Sequence, residues 1–218
     1  MNLRLLQLVS PSLPVGAYSY SQGLEAAVEA GVVRDAATAQ RWISDVLALS
    51  IGRMEAPVFL RLADAWARDD LAAAATWNEY FVASRETAEL RAETLQMGYS
   101  LRRLLRDLSL DVEVLDRIEP LSYPAAFTFA ITRWRIDPIE ALPAYAFGWA
   151  ENQVLAAIKA VPLGQTDGQR LLLALSTEVE SMTEHARGMG DEDLGNFAPG
   201  LAILSSRHET QYTRIFRS

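Results

Sequence analysis

The chain has 218 residues, half of them hydrophobic, with 28 acidic against 20 basic side chains and a net charge of −8. That acidic balance argues against nucleic acid and anionic membranes as partners, since both need clustered Lys and Arg. There is no cysteine, which excludes disulfides, thiolate nucleophiles and Cys-based metal sites together.

The first residues, MNLRLLQLVSPSLPVGA, imitate a signal peptide. Gln7 interrupts the apolar run, which falls short of the roughly 7–15 residues of a signal core. No apolar run approaches the ~20 residues of a membrane span, so a cytoplasmic protein is expected. Ser19 and Gln22 have the S-x-x-Q spacing of a capping box, with Leu24, Ala27 and Val28 on one face behind them and Gly31 as a stop. Asp35 is placed to cap a second helix, in which Trp42, Ile43, Val46, Leu47 and Ile51 recur at helical spacing. Pro57 fits the first turn of a third helix carrying Phe59, Leu60, Ala63 and Trp66. Asp69 or Asp70 starts a fourth, reaching about Val82.

A long amphipathic helix is predicted over 85–108 and a short one over 112–118. Ser122 and Pro124 open the next. Asp137 followed by Pro138 starts a helix running towards Ala160, with a kink or break expected near Leu142 because Pro143 lacks an N–H. VPLGQTDG reads as a loop, followed by a helix from Gln169 to Arg187. GMGDEDLGNFAPG reads as a second loop, and a last helix begins at Leu201. Period-2 alternation is missing. The expectation is an all-α single domain of about nine or ten helices over 1–204, with a flexible partner-binding tail over 205–218 that frays unless held.

Chemical motifs are scarce. A P-loop needs a glycine-rich turn ending in Gly-Lys, and the only lysine, Lys159, stands between Ile158 and Ala160. Gly188 and Gly190 lack the third glycine and the preceding strand of a dinucleotide fingerprint. The two histidines, His185 and His208, lie in separate segments, so no zincin-type pair exists. His208 is a weak candidate for transient metal coordination, and no permanently bound cofactor is expected. Ser10, Ser12, Ser19 and Ser21 sit outside any nucleophile elbow and read as capping and turn residues. Asp69 and Asp70 begin a diphosphate-type acidic motif, but Ala73 stands where the third carboxylate belongs. What remains is surface. Pro14, Gly16, Tyr18 and Tyr20 form an amphipathic recognition loop, and Arg214, Phe216 and Arg217 set an aromatic plug between guanidinium forks.

Four stretches together resemble the urease accessory protein F family: LPVGAYSYSQGLEAAVEAG at 13–31, RETAELRAE at 85–93 followed by MGYSL, ENQVLAAIKAVPLGQTDGQ at 151–169, and SSRHETQYTRIFRS at 205–218. The match runs the length of the chain in the family's order. The resemblance implies a non-enzymatic chaperone of urease maturation, an all-helical homodimer. It would bridge the accessory protein D (H in some organisms), docked on apo-urease, and the GTPase accessory protein G, modulating GTP hydrolysis while the complex handles nickel. It also implies that the tail orders against the D-type partner. Carried onto these residues, Glu25, Lys159 and Gln165 would face the GTPase, and Gln211, Arg214 and Phe216 the D-type partner. The residues alone leave plainer readings open: Glu25 as a solvated helix charge, and Lys159 as a cation at a negative helix end. They also leave open a generic helical adaptor or an all-α diphosphate enzyme.

Overall fold

In the computed structural model, which describes residues 2–218, no strand occurs among the described residues and ten α-helices do. They are α1 (Leu3–Leu8), α2 (Leu24–Glu29), α3 (Ala36–Val46), α4 (Ala56–Ala67), α5 (Leu71–Ala83), α6 (Ala88–Asp107), α7 (Tyr123–Arg133), α8 (Pro138–Ala160), α9 (Gln165–Arg187) and α10 (Pro199–His208). None of them is long and apolar enough to cross a membrane. The caps expected at Asp35, Asp70, Ser122 and Asp137 all form, each side chain accepting from a backbone N–H of the first turn. Asp70 accepts the Ala73 N–H at 3.0 Å, and Asp69 pairs with Arg133 at 3.5 Å.

The apolar faces close two adjoining cores. The first gathers α1, α4, α5, α6, α7 and the start of α8 around Phe59, Phe127 and Tyr145, whose rings lie 4.9–5.8 Å apart. The second gathers α2, α3, α9, α10 and the later turns of α8 around Leu24, Ile43, Val154 and Leu175. Each large apolar side chain so enclosed contributes about 1.5–3 kcal/mol. Helix α8 serves both cores, and Trp149 touches each.

Several expectations are corrected. Residues 3–8 form a helix capped by Asn2, with Leu5 and Leu8 inward. The Ser19–Gln22 capping box does not form: Ala17–Ser19 is a 3-10 turn, Gln22 has φ +50°, and α2 starts at Leu24. The reason is that both residues make tertiary contacts instead. Pro57 falls in the first turn of α4 as expected, but that helix has no free start. Residues Leu47–Glu55 wind as a π-helix and join α3 to α4 without interruption. The Arg53 carbonyl, four residues before the proline that lacks an N–H, accepts instead from Gly195 N–H at 3.2 Å. Helix α8 runs unbroken through Pro143, whose missing donor falls near the start of the helix beside the partly exposed Ile139. Helix α9 begins at Gln165, not Gln169, and residues 113–117 are a 3-10 turn. The C-terminal residues, expected to fray, instead lie on the body with Phe216 and Ser218 buried.

Candidate functional site

The opening stretch is shaped before it is anchored. Ser10 and Ser12 hydroxyls bond each other at 2.8 Å, and Gly16 turns the chain at φ +84°. Gly23, at φ +77°, also permits a close approach: a Cβ there would stand 3.2 Å from Leu201 and 3.4 Å from the Ser205 nitrogen of α10. Pro14 and Tyr18 point outward, Gly16 is half-buried and Tyr20 is buried, so the predicted recognition loop presents only part of itself. Asn152 on α8 donates to the Tyr20 carbonyl at 3.0 Å and fixes the loop to the helix.

Against this stretch lies the C-terminal segment. Glu25, on α2, accepts the Ile215 and Phe216 N–H groups at 2.7 and 2.9 Å. Arg217 N–H donates to the Ser19 carbonyl at 2.8 Å, and Ser21 N–H to the Ser218 carbonyl at 2.9 Å. Ser218 Oγ donates to Glu93 on α6 at 3.0 Å. Arg214 pairs with Glu89 at 2.7 Å. The fully buried His208 ring stands between carboxylates, Nδ1 2.7 Å from Glu89 and Nε2 3.3 Å from Glu25. Glu209 accepts the Ala88 N–H at the start of α6 at 2.8 Å. Three acids from two helices thus receive a basic segment, and charge-assisted bonds of this kind are stronger than neutral ones.

Phe216 fills the second core, and Lys159 Nζ lies 5.6 Å from its ring centroid, within cation–π range. Glu93 connects this contact to a deeper polar group. It accepts from Gln22 at 2.8 Å, while Trp149 Nε1 donates to Gln22 at 2.7 Å. Burial pushes the Glu93 carboxyl up to about 7, against the opposing pull of the Gln22 and Ser218 hydrogen bonds. Burial, and then the charge of Glu93, raises Tyr20.

The predicted residues divide accordingly. Glu25, Lys159, Arg214 and Phe216 come together in one place. Glu25 is buried beneath the segment, so it is not a solvated helix charge. Gln165 is exposed at the first turn of α9, across a short turn from Lys159. Gln211 donates to the Thr213 carbonyl at 2.9 Å and shapes the segment's own turn. His185 is exposed on α9. No group of three or more His, Asp or Glu among the described residues is placed to hold a metal, and both His208 nitrogens face carboxylates directly. Glu89, Glu93, Ser21 and Gln22 were not anticipated. Glu93 had a sequence signal: it falls on the stripe of Leu90, Met97 and Leu101, where a carboxylate must be buried.

Residues 33–176 match the family model described as UreF. Curated relatives carry the name "Urease accessory protein UreF". The protein of Azoarcus sp. (strain BH72) is 57% identical over 99% of this chain and 95% of its own. That of Janthinobacterium sp. (strain Marseille) is 52% identical over 99% and 97%, and that of Dechloromonas aromatica (strain RCB) 50% over 99% and 96%.

Proposed function

This chain belongs to the UreF family of urease accessory proteins, and from that membership we propose that it acts without catalysis, as a scaffold in urease maturation. In this reading it joins the D/H-type accessory protein to the G-type GTPase on apo-urease and modulates GTP hydrolysis while the assembly passes nickel on. It works as a homodimer in the cytoplasm. The observation that carries the reading is the docked C-terminal segment. Glu25 and Lys159, matched to the GTPase side, hold Phe216 and its neighbours, matched to the D/H side. A partner that grips Arg214 and the exposed Tyr212 and Ile215 therefore acts on the same few side chains that position Lys159. A shared element of this kind lets one docking event change the free energy of the other, and the reverse by the same amount.

The paucity of catalytic equipment is consistent with this role. The net charge of −8 suits docking through shape and fixed polar contacts over a cationic steering field. Gel filtration of the chain mixed with its D/H-type and G-type partners tests the proposal. One peak containing all three, lost when residues 209–218 are removed, is expected. Three separate peaks from folded components would overturn it.

A further inference from the structure

Beside the anchored stretch, and sharing Gln22, Glu93 and Trp149 with it, lies a cavity of about 110 Å³. Its walls are largely apolar, from Leu13, Val15, Phe81, Met97, Phe127 and Trp149, and its lining includes the exposed Pro11 and Tyr18. Arg85 reaches it from the turn before α6. The residue is 94% buried by its 6% exposure, and its guanidinium stands 4.4 Å over the Phe81 ring. Its bonds are poor for a buried cation. Glu55 is 3.6 Å away, the Ser84 hydroxyl is 3.3 Å away, and Nε has no partner. An orphaned buried donor of this kind costs about 1–3 kcal/mol.

We propose that this cavity binds a small neutral carbonyl compound of the amide or ketone type, held by the Arg85 Nε–H and the Tyr123 hydroxyl. The open groups here are donors. Tyr123 lines the same cavity and its hydroxyl finds no partner among the described residues. The Thr94 hydroxyl accepts from the Tyr123 N–H and keeps its own proton to give. Two of the carboxylates on the wall are already engaged: Glu55 takes the Tyr145 hydroxyl and Arg85, and Glu93 takes Gln22 and Ser218. A cation would meet the Arg85 guanidinium and leave its Nε–H unpaired. An anion would meet Glu55, Glu93 and Glu151 against a single guanidinium. A neutral acceptor meets neither objection. The volume exceeds the roughly 10–15 Å³ that one water requires, so a guest of a few heavy atoms fits.

Saturation-transfer NMR on the full chain tests this, with acetamide as probe and sodium acetate and methylammonium chloride as its charged counterparts. Saturable transfer to acetamide alone is expected. Tyr123→Phe should weaken it about fivefold, the worth of one hydrogen bond, because that hydroxyl bonds nothing in the protein and its loss leaves the fold intact. Arg85→Met should abolish it. Should that variant fail to fold, Tyr123→Phe decides alone. No saturable transfer, meaning buried water only, would overturn the proposal. Equal binding of acetate or methylammonium, or unchanged binding by Tyr123→Phe, would do the same.

Discussion

Glu25 and Glu93 show how far single carboxylates organise this molecule. Glu25 satisfies two tail N–H groups, and leaving both buried and unpaired would cost about 2–6 kcal/mol in total. Release of the segment into water is the cheaper response. Glu25→Ala should therefore abolish the hydrogen-exchange protection of the Ile215 and Phe216 amides while the helical body melts within a few degrees of the wild type. Unchanged protection would show that these bonds do not hold the segment. Glu93 has a folded-state pKa of about 7 against an ordinary 4.5. The native carboxyl keeps a proton that the unfolded chain releases in that window. Its stabilisation is thus complete below pH 4.5 and lost as pH rises through 7. Between pH 5 and 8 the wild type should lose about 2–3 kcal/mol relative to Glu93→Gln in urea unfolding. Parallel pH profiles would contradict the assignment. Neither role was legible in full. The stretch around Glu25 pointed to recognition, but which face it turned depended on residues about 190 positions away in sequence.

At the scale of elements, local signals and tertiary demand can be separated. Caps were readable because they depend on residues three apart, as Asp35 and Thr38 show. The π-helix over 47–55 was not; its partners are distant in sequence, since Gly195 donates to the Arg53 carbonyl and a Cβ on Gly52 would stand 2.6 Å from Met182. Pro57 sits in the first turn of α4, where the winding changes from π to α, whereas Pro143, which also looked like a boundary, lies inside α8. The crossing of α6 over the start of α7 gives a sharper test. A Cβ on Gly98 would meet the Leu121 oxygen at 2.3 Å and the Ser122 carbonyl carbon at 2.7 Å, both backbone. Backbone cannot step aside as a side-chain tip can, so Gly98→Ala should cost at least the ~1–3 kcal/mol of an overpacked core. Gly148→Ala, whose Cβ would sit 3.5 Å from Val9, should instead be neutral or stabilise by up to ~1 kcal/mol. Equal thermal shifts for the two would refute this account of the crossing.

Over the whole molecule, all-helical architecture and family membership could be read from the sequence; the placing of the C-terminal segment could not. Its polar, basic composition suggests solvent, yet an acidic body offers it Glu25, Glu89 and Glu93 at matched positions. In the proposed reading the segment faces the D/H-type partner, and Lys159, which packs on its Phe216, faces the GTPase together with Gln165 of the α8–α9 turn. Calorimetric titration of the G-type partner into the chain already bound to its D/H-type partner measures this directly. Lys159→Ala and Gln165→Ala, both exposed, should each shift melting by no more than a few degrees and weaken the GTPase about tenfold or more, on the scale of truncated central contacts. Wild-type affinity in both variants would place the GTPase elsewhere and contradict the account.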